Sequence, residues 1–314
     1  MTEQSRTFAD TALIGVVVVN FGSHHLLSKN ISQIDDRTRV VVVDNYLSAQ
    51  ERADIEVLAA SRNWHLVRTT ENLGFGAGVN LGVTAAFSLG CTSVLLLNPD
   101  AVVSADIIAD LRSQCARRPL AIVTPRIVTS DGGPYFVGSQ VSVRNGHIRR
   151  HPDIDLDNAG SELVTLTSGP EWLSWVTGAC MAFGKELWQL TGPYDESFFL
   201  YWEDVEFSLR AQHKGADLLL RTDLVAVHDE GGTQKRTGVA KSSGYYFYNC
   251  RNRLLLARRW PQRRVYLRWL LMTPRESWQI LLRGGRRQLV RSPRLLLSAV
   301  QGSLAGMLGS VGPS

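Results

Sequence analysis

The sequence predicts an α/β fold built on a mostly parallel sheet, covered by helices on both faces. Three observations carry that expectation. Apolar, β-branched runs at 13–19 (LIGVVVV), 39–43 (RVVVV) and 93–97 (SVLLL) lack polar alternation, as strands buried on both faces require. Helix-length stretches lie between and after them, at about 24–34, 50–62, 77–89 and 104–117. Polar residues follow the apolar runs: Asn20, then Asp44 and Asn45, then Asn98, Pro99 and Asp100. Ligands of such sheets bind at the carboxyl ends of the strands. Asn, Asp and Pro also make ordinary turns, but three strand exits converging on one sheet edge favour a site.

The other elements follow in order. His65 to Thr69 makes a shorter strand. Residues 130–170 are rich in Gly, Ser, Asp and Pro and read as a hairpin (135–148) and a long surface loop. Residues 172–190 return to apolar and aromatic packing, 203–214 form a short helix, and 216–228 form one or two strands. Residues 240–260 are helical. Arg-, Trp- and Leu-rich helical pieces follow from 261, and QGSLAGMLGSVGPS reads as a frayed end. No internal repeat is visible.

Hydrophobic residues make up 44% of the 314 and charged residues 20%, enough for a sizeable core and ordinary for a folded domain. Cys91, Cys115, Cys180 and Cys250 form no CxxC pair, which argues against a disulfide framework or a zinc site and for buried thiols in a reducing compartment. The N-terminus lacks the pattern of a secretion signal, and no apolar run reaches the roughly 18 residues that span a bilayer. The expected location is cytoplasmic, peripheral on the inner face of the cell membrane. The net charge of +5 hides an asymmetry, because residues 251–300 hold 13 arginines and one acid, Glu276. A net-acidic body with a basic tail is not the pattern of a nucleic-acid binder.

Four constellations carry chemistry. Asn98-Pro99-Asp100, at a strand tip, fits either a turn or an oxygen site for a divalent cation bridging two phosphates. Glu71-Asn72-Leu73-Gly74-Phe75-Gly76-Ala77-Gly78-Val79-Asn80 places alternating glycines before a helix. They serve either backbone approach to phosphate or close packing, and they do not form the dinucleotide fingerprint. In Phe198-Phe199-Leu200-Tyr201-Trp202-Glu203-Asp204, an aromatic run leads into adjacent acids at a helix start. A cap explains one carboxylate. The pair behind apolar residues suits a base of raised pKa. His228, ending an apolar stretch before Asp229-Glu230-Gly231-Gly232, is either structural or a ligand beside a mobile loop.

Together these elements resemble glycosyltransferase family 2, in matching order, from about Ile14 to Arg259. The most specific stretches are VVVDN (41–45), ENLGFGAGVNLG (71–82), LLLNPDA (95–101) and TGACMAFGKELWQLTGPYDESFFLYWEDVEFSLRAQHKG (177–215). YYFYNCRNRLLLARRW (245–260) is similar to the tail helix of the rhamnosyltransferase-like branch, whose members extend bacterial cell-wall or surface polysaccharides, often on polyprenyl-diphosphate lipids.

The resemblance implies a GT-A fold and an inverting, metal-dependent hexosyltransferase. By position, Asp44 would read a pyrimidine base with Asn20 nearby, and Asn72, Gly74 and Asn80 would line the nucleotide and sugar pocket. Asp100 would hold Mg²⁺ or Mn²⁺ with His228, and Asn98 stands where the family has the first acid of its metal motif. Asp204 would be the catalytic base, Glu203 its support, and Trp202 and Tyr201 contacts of the acceptor. The donor implied is a dTDP- or UDP-sugar, dTDP-L-rhamnose first, and the acceptor a glycan or a lipid-linked glycan.

The chain then divides into an N-terminal tail (1–12), a catalytic domain (13–240) and a basic helical extension (241–314). Within the domain, 13–125 would bind the nucleotide sugar and 126–240 the acceptor. Arginines mixed with Trp260, Tyr266, Trp269 and Trp278 suggest that 258–294 lies on an anionic membrane. Competing readings are a sugar-1-phosphate nucleotidyltransferase, disfavoured by VVNFGSHH after the first strand, and a catalytically inactive membrane-binding scaffold. The sequence leaves oligomeric state open.

Overall fold

The computed structural model describes residues 12–31, 35–152, 154, 163–228 and 241–313. The first half alternates strands and helices: β1 (Ile14–Asn20), α1 (His24–Asn30), β2 (Thr38–Asp44), α2 (Ala49–Ser61), β3 (His65–Arg68), α3 (Phe75–Ser88), β4 (Ser93–Leu97), β5 (Ala101–Val102) and α4 (Ala105–Arg117). A strand-rich middle follows: β6 (Ala121–Val128), β7 (Pro134–Phe136), β8 (Ser139–Ser142), β9 (Ile148–Arg150), β10 (Leu163–Thr165), β11 (Trp172–Trp175) and β12 (Cys180–Gly184). Then come α5 (Lys185–Thr191), a 3-10 turn (Glu196–Phe198), α6 (Glu203–His213) and β13 (Asp217–His228). The chain closes with α7 (Ser243–Arg259), α8 (Arg263–Leu271), α9 (Thr273–Leu282), α10 (Arg286–Arg291) and α11 (Arg294–Leu308).

The main sheet runs in the order β10-β13-β6-β12-β4-β1-β2-β3, with β5 on β13 and β7 on β6. β1, β2, β3 and β4 pair in parallel, as their unbroken apolar runs required, and β12 runs antiparallel between β4 and β6. Every residue of β1, and of β4, is buried. Helices α2, α4 and α7 start on serine caps, Ser48, Ser104 and Ser242, whose side chains accept backbone N–H bonds. All four cysteines are free and buried.

The middle differs from the expected hairpin over 135–148. β7 pairs with β6 instead, and the hairpin is β8–β9, completed by β11 into a separate three-stranded sheet. The strand or strands expected over 216–228 are a single strand, Asp217–His228, with a register shift between Arg221 and Val225.

The C-terminal region departs further from expectation. Residues 301–308 are not frayed: α11 lies against α7 so closely that a Cβ at Gly302 would sit 2.2 Å from the Phe247 carbonyl. At Gly306 it would sit 2.6 Å from the Arg251 carbonyl. The glycines that suggest disorder are the groove that lets two backbones meet.

Trp269, expected at a membrane surface, is fully buried against Trp202 and Trp260 in a core shared by α6, α7 and α8. Tyr266 packs on the same core. Of the tail's aromatics, Trp278 is the one left half exposed. Among the described residues no helix is long and apolar enough to cross a membrane.

Candidate active site

The parallel strands deliver their exits to one edge. Asn20 and Asp44 are register partners at the ends of β1 and β2. Both are buried, and both are engaged. The Asn20 amide donates to Glu51 (3.4 Å) and its carbonyl accepts the Ser23 N–H (3.0 Å), a turn-closing use. Asp44 accepts from Arg52 Nε at 2.6 Å, and Arg52 also reaches the Thr69 carbonyl and stacks over Tyr46, 4.6 Å from its ring centre.

The glycine-rich stretch is largely packing. Added Cβ atoms at Gly78 and Gly82 would meet Val19 at 2.8 Å and Val17 at 2.4 Å, so these glycines let α3 sit directly on β1. Gly74 has φ +89°, and a Cβ there would lie 2.4 Å from the Phe199 carbonyl. Asn45 fixes this loop, donating to Asn72 (3.0 Å) and the Gly74 carbonyl (3.1 Å) and accepting the Leu73 N–H (2.9 Å). Asn80 spends its amide on Tyr194 and Glu196, tying α3 to the segment before α6.

A cavity of about 410 Å³ brings together Asn98, Asp100 and His228 with Tyr201, Trp202, Glu203 and Asp204. It does not include Asn20, Asp44, Asn72, Gly74 or Asn80. β13 carries His228 to this point by pairing it with Ala101, next to Asp100. The His228 Nε2 lies 3.2 Å from Asp100 Oδ1 and 3.3 Å from Asn98 Nδ2, and Tyr135 stacks on the ring at 4.3 Å. Among the described residues, His228 Nδ1 is buried without a partner.

This donor set fits a divalent cation. Adjacent ligands of an octahedral ion with bonds of about 2.1 Å lie roughly 3 Å apart, which the Asp100–His228 separation of 3.2 Å matches. One carboxylate and one imidazole leave the other positions to phosphate and water. Asp229, Glu230 and the glycine pair after His228 lie outside the described residues.

The segment leading to the acids is strained and held. Phe199, Tyr201 and Trp202 have φ of 59°, 65° and 74°, a region costly for side chains of this size. The Asn252 amide donates to the carbonyls of Phe198 (2.7 Å), Leu200 (2.8 Å) and Tyr201 (2.7 Å), and Arg251 adds a bond to Phe198 (2.8 Å). The Phe75 N–H closes the other side on the Phe199 carbonyl at 2.7 Å. Trp202 is buried, its indole N–H on Asn249 (3.2 Å) and its ring against Trp269, so it has little face for an acceptor sugar. Tyr201, edge-on to Tyr245 at 5.3 Å, is half-buried in the cavity.

The two carboxylates then separate electrostatically. Burial pushes Asp204 up to about 6, opposed by hydrogen bonds that include the Gly178 and Val205 N–H groups. Glu203 is raised well above the usual carboxylate range by burial and by the Asp204 charge, and its Oε2 has no partner among the described residues. Asp204 is therefore the group that ionises first, and Glu203 holds its proton more tightly than Asp204 does.

Sequence reasoning missed Arg52, Asn252, Lys241, Tyr245 and Arg283. The signal for Asn252 was present: a polar residue between two arginines in a helix otherwise reading as buried. Lys241, Tyr245 and Arg283 reach the cavity from a region taken as a tail.

No family model matches the chain. It is 26% identical over 247 residues to the low-salt glycan biosynthesis hexosyltransferase Agl10 of Haloferax volcanii, covering 77% of this chain and 74% of that protein. It is 24% identical over 227 residues to the dTDP-rhamnosyl transferase RfbF of Shigella flexneri, covering 70% and 71%. Among solved structures, GalNAc-T7 with UDP, GalNAc and Mn²⁺ superposes with a TM-score of 0.60 at 15% identity, over 95% of this chain but 56% of that one. The mannosyltransferase PcManGT of Pyrobaculum calidifontis, with GDP-Man and Mn²⁺, superposes with a TM-score of 0.55 at 15% identity, over 94% and 86%. With these relatives, this sheet and this cavity, the chain is a glycosyltransferase of GT-A fold, similar to family 2.

Proposed function

We propose that the chain transfers a hexosyl unit from a nucleotide sugar to a glycan or lipid-linked glycan with inversion, using Asp204 as general base. The observation that carries this reading is a carboxylate of pKa about 6 in the same cavity as Asp100 and His228. Such a group is ionised at neutral pH yet basic enough to take a proton from a sugar hydroxyl.

The step is one displacement. The acceptor O–H gives its proton to the Asp204 carboxylate as its oxygen bonds the anomeric carbon. The bond from that carbon to the nucleoside diphosphate breaks, and the electron pair leaves with the diphosphate. Attack opposite the leaving group inverts the configuration. Asp100 and His228, with Asn98 beside them, would hold Mg²⁺ or Mn²⁺. When bound, the ion supplies positive charge to the departing diphosphate. Glu203, the more tightly protonated of the pair, limits the charge around Asp204.

Donor binding is assigned to the β1–β2–β4 edge, with Asp44 and Arg52 at the base and the Asn72–Gly74 loop beside them. Asn20 and Asn80 support that edge structurally. The relative that uses dTDP-rhamnose favours dTDP-L-rhamnose as donor, with UDP-sugars as the alternative. Of the two expected acceptor contacts, Trp202 and Tyr201, this reading keeps Tyr201.

Attachment to the inner face of the membrane moves from the tail's tryptophans to the outer face of α11. Leu297, Val300, Leu304 and Leu308 recur at helical spacing there, each more than half exposed. Exposed Arg286, Arg287, Arg291 and Arg294 precede that face and would meet anionic headgroups. Deleting 261–314 would also remove Trp269 from the core, so Leu304→Gln with Leu308→Gln is the cleaner variant. Flotation with anionic vesicles should fall in that variant; unchanged flotation sinks the attachment.

The functional assignment is tested by thermal shift and turnover with a panel of dTDP- and UDP-sugars, each with and without Mn²⁺. Metal-dependent stabilisation by one nucleotide class, with release of its diphosphate, supports the assignment. No stabilisation by any nucleotide removes it.

A further inference from the structure

The catalytic cavity continues into a second one, of about 250 Å³, that runs between β7 and the β8–β9 hairpin. The two share Tyr135, Ile148 and Arg283. Among the described residues, the second cavity is lined by Arg149, Arg150 and Arg283 and by no acid. It contains none of the strand-end residues Asn98, Asp100 or His228, so it leads away from the donor edge.

The arginines are unlike others in this protein. Arg52, Arg112, Arg210, Arg221 and Arg259 each pair with a carboxylate. Among the described residues, Arg149, Arg150 and Arg283 pair with none. Arg149 is held by the Gln140 carbonyl (3.1 and 2.8 Å) and by Trp172, 3.7 Å below its guanidinium. Arg283, half-buried, donates to the Tyr245 hydroxyl at 3.4 Å. A half-buried cation without a counter-charge is costly to keep. Guanidinium forks match phosphate oxygens in geometry, and a doubly charged phosphate matches several arginines better than a single carboxylate does.

We propose that this groove is an acceptor subsite for a phosphate group, with Arg283 and Arg150 as its main contacts and Arg149 in support. The C-terminal helices thus complete the active site, because Arg283 follows α9 directly. This inference rests on the transferase reading above and names the charge its acceptor carries.

The test is calorimetric titration of inorganic pyrophosphate, inorganic phosphate and glucuronate into wild type, Arg283→Gln and Arg150→Gln. Arg150 is exposed, so its variant tests the groove without risk to folding. Pyrophosphate should bind wild type, bind at least tenfold more weakly to Arg283→Gln, and weaken in Arg150→Gln. It should still bind when the nucleotide site is saturated with the nucleoside diphosphate and excess Mg²⁺. Unchanged affinity in both variants overturns the proposal. So does full competition with the nucleotide, which would make the anion the donor's own diphosphate. Glucuronate binding as tightly as pyrophosphate would overturn the phosphate assignment. Nucleotide titrations on the same samples read the transferase assignment separately: its failure shows as no nucleotide binding, and failure of this proposal alone shows as nucleotide binding without a separate pyrophosphate site.

Discussion

The side-chain amide of Asn252 donates to the carbonyl of Tyr201 at 2.7 Å, from a helix that follows the main sheet to the segment that presents Glu203 and Asp204. Asn252 is wholly buried and also holds Phe198 and Leu200. Asn252→Ala would leave buried carbonyls unsatisfied beside residues of positive φ. The expected loss of stability is about 2–3 kcal/mol, measured by denaturant unfolding, with a fall in kcat that exceeds any change in donor affinity. A variant as stable as wild type would show that the strained segment holds itself.

Asp204 and Glu203 should respond differently to isosteric change. Burial and the neighbouring Asp204 charge make Glu203 the more tightly protonated of the pair, so Glu203→Gln copies its protonated form, and turnover should stay within about threefold of wild type. Asp204→Asn removes the base, and turnover should fall by roughly 10²–10⁴. Circular dichroism would confirm that both variants are folded.

The raised value of Asp204 sets the sign of two pH effects. Activity needs the ionised form, so kcat/KM should rise with pH to a plateau, with a midpoint of about 6. Stability runs the other way. The folded state holds the proton more tightly than an unfolded chain with the ordinary value of 3.8. Asp204 thus withdraws stability as pH rises from that value to about 6, and the penalty persists above it. Asp204→Asn should flatten that part of the stability profile, read as Tm against pH.

His228→Ala should raise the Mn²⁺ concentration for half-maximal activity at least tenfold, because one of the two proposed ligands is lost and Asp100 remains. Equal metal dependence in the variant would leave His228 as a stacking partner of Tyr135 only.

Gly302→Val should destabilise by about 1–3 kcal/mol through overpacking at the α7–α11 contact. Leu304→Gln on the opposite face should leave Tm within about a degree, a small effect expected of an exposed site.

Much of the fold was legible in the sequence. The parallel sheet edge followed from unbroken apolar runs, and Asp100, Glu203, Asp204 and His228, singled out by strand-exit and helix-start position, line one cavity. Asn20 and Asn80 were found by position too, but their amides are spent on structure, which spacing does not reveal. The C-terminal region misled for a physical reason. Arginine and tryptophan suit a membrane surface and a buried hydrogen-bonded helix alike, and Arg251, Arg253 and Trp269 took the second course. Gly302 and Gly306 signal flexibility in isolation and close packing in the fold. Arg283 belongs to the cavity only because α9 returns to it, a long-range relation with no local mark.

The most direct test of the central claim is the rate of nucleoside diphosphate release from the bound nucleotide sugar at pH 7, with Mn²⁺, for wild type, Asp204→Asn and Glu203→Gln. The account predicts near-wild-type release for Glu203→Gln and a loss of at least a hundredfold for Asp204→Asn. The reverse order, or equal rates in all three, would contradict it.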